Sequence, residues 1–385
     1  MSTIIRDAPE ASSSWALGGL SWLHFLNDGA ANFLPGVLPA LLVSLGQPIG
    51  RAASIMTVLL LGQALQPAMG WLADRSGGRS LIIVGVLGTN LGMALIGWVS
   101  NVYALYVVLF LMGLSNSLFH PQALAAARTL AKRRHGSVMS LFLVGGELGR
   151  GLWPLLASLV ILYAGRQNLW MLSAITLVSV PFVFQSLPKQ SPRLRGTTPI
   201  AWSKHWRAAS MLVAFVASRS LVLLGLITYL PIQWHQQGGS LTTGAALITT
   251  LLVVGVVGNL GGGWVSDHIG RKNTLIISSF LIMFALAIFL KSSGWLMWPL
   301  LGILGVAIFS TLPISVLVGQ DIFPENRALG SGIALGFGNA VAALSLLLFG
   351  LIVQHVGIHS AFEVLVGVAF LSLLLAATLP ISRTQ

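Results

Sequence analysis

The chain has 385 residues, of which 55% are apolar and 8% charged, with 21 Lys and Arg against 9 Asp and Glu, no Cys, and a formal charge of +12. Soluble domains carry about a quarter charged residues, so a soluble enzyme, a secreted domain and a disordered chain are all excluded. A mean hydropathy of +0.87 reads as an integral membrane protein. The missing Cys removes disulfides, thiolate metal sites and Cys nucleophiles.

A spanning helix needs about 20 mainly apolar residues, and hydropathy predicts twelve such segments. The first half holds 15–45, 51–73, 80–99, 102–128, 136–163 and 168–187, and the second 209–234, 242–265, 273–291, 294–319, 327–353 and 358–380. Before the first span, Met1 to Ser14 carries Asp7 and Glu10 and lacks a basic start followed by a small-residue cleavage site, so no cleaved signal peptide is expected. Pro188 to Ala208 is the longest polar stretch. With Pro188, Pro192, Pro199 and five basic residues it is expected to link two six-helix bundles, 1–187 and 209–385.

Placed on this topology, sixteen Lys and Arg fall on the side of the linker and the termini, three (Arg51, Arg166, Lys291) on the other, and Arg150 and Arg219 inside spans. The positive-inside rule then puts both termini in the cytoplasm of a cell's inner membrane. The net charge is thereby accounted for by the bilayer, with no nucleic-acid partner. A repeat at an offset of 193 aligns Gly70-Trp71-Leu72-Ala73-Asp74-Arg75-Ser76-Gly77-Gly78-Arg79 with Gly263-Trp264-Val265-Ser266-Asp267-His268-Ile269-Gly270-Arg271-Lys272. Two halves repeated in the same orientation place a substrate site at the midplane between them.

The two copies of G-x-x-x-D-x-x-G-x-[RK], with twelve spans and a basic central linker, resemble the major facilitator superfamily over essentially the whole chain. The resemblance implies an all-α polytopic fold of two parallel-repeat six-helix bundles and a monomer. It also implies a conformational switch motif. Gly70 would allow close helix approach, Asp74 would hold charged groups at neighbouring helix ends such as Arg128 to Arg134, and Arg75, Gly77 and Arg79 would complete the loop. Gly263, Asp267, Gly270 and Arg271 form the second copy, which departs by having His268 where the first has Arg75. A narrower resemblance is carried by Phe119-His120-Pro121-Gln122-Ala123 and by Gly145-Gly146-Glu147-Leu148-Gly149-Arg150-Gly151-Leu152-Trp153-Pro154, which look like the fosmidomycin-resistance branch. It implies export of a small polar antibiotic or metabolite against protons. The chain departs from that pattern at Trp153, where Gly would precede the Pro, and at Glu147 and Arg150, which charge a stretch that is otherwise neutral.

Ionisable groups at bilayer depth cost roughly 3 kcal/mol on insertion scales and so face a cavity or a partner. His24 and Asp28 are four apart on one face of the first helix, with Asn27 and Asn32 adjacent and Pro35 and Pro39 able to bend the helix beyond. Asp28, with His24 as partner, is the expected proton-coupling carboxylate, against the alternative of a buried structural cluster. Glu147 and Arg150, three apart, suit either proton and substrate handling or fixed interhelical pairing. Arg219, about 15 Å into a seventh helix begun at Ala209, is read as an anion-binding cation with Asp28 or Glu147 as its counter-charge. His120 and Asn116, four apart, are expected at the cavity, as are Tyr229 and Asn339. Asp321, Glu325 and Arg327 are expected to form a gate network.

No G-x-x-x-x-G-K-[ST] run for ATP and no H-E-x-x-H zinc stretch occurs, so no enzyme, cofactor or metal is expected. The reading is a secondary transporter using alternating access, with a small molecule and protons as its partners. Proton antiport exporting a small polar or anionic compound leads. Proton-coupled uptake of an organic anion and a non-transporting membrane sensor are the alternatives.

Overall fold

A chain this apolar has to satisfy its backbone within each segment, and the computed structural model, which describes residues 10–69, 79–130, 135–187 and 202–381, contains helices and no strand among them. The first span, α1, is in two pieces, Glu10–Asn32 and Leu34–Ser44, broken at Phe33 where Pro35 occupies the first turn of the second piece. There follow α2 (Arg51–Gln63), α3 (Arg79–Ile96), α4 (Val102–Leu130), α5 (His135–Ala164) and α6 (Trp170–Phe184). The second half contains α7 (Trp202–Gln236), α8 (Leu241–Ile269), α9 (Arg271–Phe289) and α10 (Met297–Ile322). The run from Arg327 to Thr378 is α11 and α12, divided at Gly357, whose φ of 82° suits glycine alone and turns the chain back.

Among the described residues ten helices are long and apolar enough to cross a membrane. One of the ten covers both α11 and α12. The span left out is α1, whose hydropathy is lowered by His24, Asn27, Asp28 and Asn32. With α1 counted and the last helix divided, the spans number twelve, in two bundles of six.

Within the first bundle α1 packs on α5, α3 on α4 and α2 on α4; in the second α8 packs on α10 and α7 on α11 and α12. The bundles meet along α5 with α8 and along α2 with α11. Small residues set these distances. A Cβ on Gly145 or Gly149 would strike the carbonyl of Ser21 or Phe25, and one on Gly146 the ring of His24, so the α5 glycine run is the seat of α1. Gly151 points the other way, onto Val253 of α8. Trp153 is fully buried, edge-on to Phe25 with centroids 4.9 Å apart, and occupies the room that Gly29 leaves.

Two expectations change. The segment 202–208, expected to belong to the linker, is the first part of α7, and there His205 Nε2 lies 2.6 Å from Glu325 Oε1. In the second switch motif Gly263 faces open space, and the close approach falls one residue earlier, where Gly262 meets the Ser310 carbonyl. Arg271 pairs with Asp321 at the end of α10, and Arg79 stacks on Phe184 at 4.3 Å. The expected gate residues are thus divided between two pairs, Arg271 with Asp321 and His205 with Glu325. Gly70, Asp74, Arg75 and Gly77, with Lys132, Arg133 and Arg134, lie outside the described residues, as does the side chain of Arg327.

The backbone N–H of Glu325 itself, then His205, holds the Glu325 carboxyl below its ordinary value of 4.5. A lowered carboxyl favours the folded state above its unfolded value and loses that contribution as pH falls through its folded value. Glu325→Gln is therefore expected to melt slightly below wild type at pH 7, with the gap closing below about pH 4.5; a gap that widens in acid contradicts this.

Candidate functional site

At mid-depth of the first bundle, α1, α4 and α5 bring their ionisable groups onto one carboxylate. Asp28 Oδ2 lies 3.2 Å from Arg150 Nη2 and 3.4 Å from His24 Nε2, while Oδ1 lies 3.2 Å from both His120 Nε2 and Asn27 Nδ2. Asn32 donates to the Asp28 carbonyl at 2.8 Å, tying the last turn before the break in α1. Arg150 Nη1 is 3.5 Å from Glu147 Oε2, so the guanidinium bridges two carboxylates. His24 is fixed from behind: its ring stacks on Phe142, centroids 4.2 Å apart, and its Nδ1 is 2.8 Å from the Phe142 carbonyl. Asp28 and His24 are buried, whereas the Arg150 side chain is 33% exposed and reaches open space.

That space is a cavity of about 240 Å³ between the bundles. Its inner end is Asp28, Asn32, His120, Asn116 and Arg150, and its far wall is apolar α7 and α8 with Asn339 of α11. Gln63 and Gln66 flank it towards the end of α2, on the side of the chain termini. The opposite side is closed by contacts between the bundles. Thr57 Oγ1 donates to the Ala343 carbonyl at 2.9 Å, Tyr229 donates to the Gly50 carbonyl at 3.4 Å, and Gly350 packs against Ala53.

The expected residues thus divide. Asp28, Asn32, Asn116, His120, Arg150 and Asn339 line the cavity; Asn27, His24 and Glu147 stand behind it as partners of Asp28 and Arg150; Tyr229 belongs to the closed side. Arg219 is outside this constellation: the counter-charges proposed for it are held by Arg150, and Arg219 is buried with its Nε unbonded. α7 begins at Trp202, ahead of the apolar run, and Arg219 lies ten residues past Ala209, about 15 Å at 1.5 Å per residue, where it is buried. A buried charge without a partner is costly, and an apolar side chain of similar volume removes that cost. Arg219→Met is expected to raise the Tm and to lower transport; a fall in both would make Arg219 a structural residue with a partner.

Gln63 and Gln66 were not among the sequence candidates. Two amides three residues apart in the second half of an apolar span were the available signal. Three donor atoms of His24, Asp28 and His120 also fall within 4.8 Å of one another, but the Arg150 guanidinium 3.2 Å from Asp28 puts positive charge where a cation would have to sit. The set does not fit a metal.

A cavity between two six-helix bundles, closed on one side and lined at mid-depth by paired charge, is the architecture of an alternating-access membrane transporter. The model of the Major Facilitator Superfamily matches residues 20–328 and, in an overlapping match, 234–385, and the chain belongs to that family. Among curated relatives, the fosmidomycin resistance protein of Escherichia coli K12 is 28% identical over 371 residues, covering 93% of this chain and 90% of the relative. An uncharacterised MFS-type transporter of Bacillus subtilis is 22% identical over 374 residues, with the same two coverages. Among solved structures, the nucleoside transporter NupG superposes with a TM-score of 0.79 at 14% identity over 95% of this chain and 100% of its own. An inward-facing, unoccupied bacterial homologue of the human lysosomal transporter Spinster gives 0.75 at 14% identity over 97% of each chain. These two establish the fold.

Proposed function

We propose that the protein is a proton-coupled secondary transporter of the inner membrane that exports a small polar compound in exchange for protons. It acts as a monomer with both termini cytoplasmic, and bundles 1–187 and 209–385 rock about the linker 188–208. The observation that carries this reading is Asp28, a buried carboxylate at the inner end of the cavity, held by Arg150, His120 and His24. An isolated charge at that depth would be expensive, and a group kept there by exchangeable partners can trade one for another. The name of the Escherichia coli relative, a fosmidomycin resistance protein, supports the outward direction. The basic residues of the linker side support the orientation.

Obligatory exchange requires substrate and proton to compete for the same groups. Asp28 and Glu147 are those groups, so an exchanged substrate presents hydrogen-bond donors or positive charge to them. The remaining expected contacts are Arg150, Arg219, His120, Asn27, Asn32, Asn116, Tyr229 and Asn339. Arg150 favours a second reading. An anion that draws the guanidinium off Asp28 leaves a carboxylate that takes a proton more readily, so anion and proton enter together, as in uptake of an organic anion.

The two are separated in liposomes by imposing a pH gradient and following fosmidomycin. Exchange accumulates it on the acidic side, and cotransport on the alkaline side. Fosmidomycin movement at the same rate with and without the gradient would remove proton coupling.

A further inference from the structure

Resting on the proton-coupled reading, we propose that the exchangeable proton resides on His24 Nε2, behind Asp28, and that Asp28 stays ionised while it is there. The Phe142 carbonyl, 2.8 Å from His24 Nδ1, can only accept, so Nδ1 carries a hydrogen in every state that keeps this contact. Phe142 also stacks on the ring and Gly146 leaves no room behind it, so the imidazole cannot turn over to present its other edge. Nε2 therefore faces Asp28 Oδ2 in one of two forms. As a bare lone pair it would set two acceptors against each other in a buried site, which costs free energy. As N–H it makes His24 an imidazolium and the contact an ion pair. One proton between the two atoms decides which.

The surrounding groups put that proton on nitrogen. Asp28 already receives Arg150 from α5 on Oδ2 and His120 from α4 with Asn27 on Oδ1. Glu147, also on α5, faces Arg150 rather than the imidazole. The other helices packed on α1 here, α3 and α6, bring no ionisable side chain to this level. A carboxylate with that many donors is stabilised in its charged form. His24 is buried and is not a lining residue of the cavity, so the proton passes from Nε2 to Oδ2 before it reaches open space. No bond other than N–H and O–H changes. In the transfer Asp28 becomes neutral, His24 becomes the neutral Nδ1–H imidazole, and Arg150 is released towards the cavity with Glu147 as its remaining carboxylate. Transfer of the proton from His24 to Asp28 is thus the event that loosens Arg150, a change of charge at a two-state element.

The test needs no transported ligand. Protein labelled with nitrogen-15 in its eight histidines and held in lipid nanodiscs is studied by NMR at pH 7, with His24 assigned by the signal lost in His24→Gln. The expected result is two protonated nitrogens on His24 in wild type. In Asp28→Asn the expected result is a protonated Nδ1 with a bare Nε2 accepting from the new amide. A neutral His24 in wild type with a bare Nε2 would put the proton on Asp28 and overturn the inference, and so would a bare Nδ1. A His24 signal that changes on EDTA treatment would overturn it in favour of a bound metal. If Asp28→Asn does not fold, the wild-type nitrogens alone decide, and Asp28→Glu is expected to keep both protonated. Failure of the transport reading is distinguishable: doubly protonated His24 in a protein without gradient-driven flux keeps this inference and removes that reading.

Discussion

Asp28→Asn is expected to reduce pH-gradient-driven flux at least about tenfold and to lower the melting temperature. Removing one partner of a buried ion pair costs roughly 3–5 kcal/mol. Arg150 is one-third exposed in its side chain and retains Glu147, so solvent screening reduces this to about 1–2 kcal/mol of stability, or about five- to thirtyfold in the folded–unfolded balance at about 1.4 kcal/mol per decade. The loss of coupling has a different origin from the loss of stability. An amide cannot take the proton that His24 gives up. The triple variant Asp28→Asn, Glu147→Gln, Arg150→Gln removes all three charges that Arg150 joins and is expected to recover most of the melting temperature while remaining uncoupled. Recovery of gradient-driven flux in the triple variant would mean that Asp28 serves only to neutralise Arg150.

Gly350→Leu is expected to be the second large effect, acting on conformation rather than chemistry. Gly350 sits on α11 where the bundles meet on the closed side, and a Cβ there would strike Ala53, with the Tyr229 hydroxyl 3.0 Å and the Gly50 carbonyl 3.1 Å away. Two of those neighbours are firm, so a leucine acts as a wedge, at roughly 1–3 kcal/mol for overpacking. Because that cost falls only on the state in which this side is closed, a wedge of about 1.4 kcal/mol shifts the balance between the two states about tenfold. Labelling of a cysteine introduced at Gln354, which borders the same contact, should become faster in the variant and net transport slower. Unchanged labelling would mean that this side is not the moving one. Tyr229→Phe should give the same direction with a smaller effect, since only a 3.4 Å hydrogen bond is lost.

The twelve spans and their repeat were legible because in a bilayer both the period and the length of apolar runs are imposed by the solvent. The break at Gly357 falls in the gap expected between 353 and 358, and Pro35 marks the bend at Phe33. Asp28, His24 and Arg150 stood out because charge is scarce here and each sits far from an interface. Which of them pair could not be read from spacing. His24 with Asp28 and Glu147 with Arg150 are neighbours on single helices, but Asp28 with Arg150 and with His120 depends on how α1, α4 and α5 cross. Arg219 shows the same limit. Its burial was expected from its distance into the apolar run, but its partners were assigned to carboxylates that Arg150 already holds. Trp153 looked like a departure at the cavity, yet it is core, accommodated by Gly29 on the facing helix.

The central claim is that movement of a small polar compound is tied to a proton through Asp28. It is tested most directly with liposomes that carry the protein, enclose a pH-sensitive dye and hold an imposed pH gradient, challenged with fosmidomycin and a panel of small polar compounds. We expect at least one compound to move across the bilayer and collapse the gradient in wild type, and the same compound to leave the gradient standing in Asp28→Asn. A compound carried equally well by both proteins, at a rate indifferent to the gradient, would contradict the account.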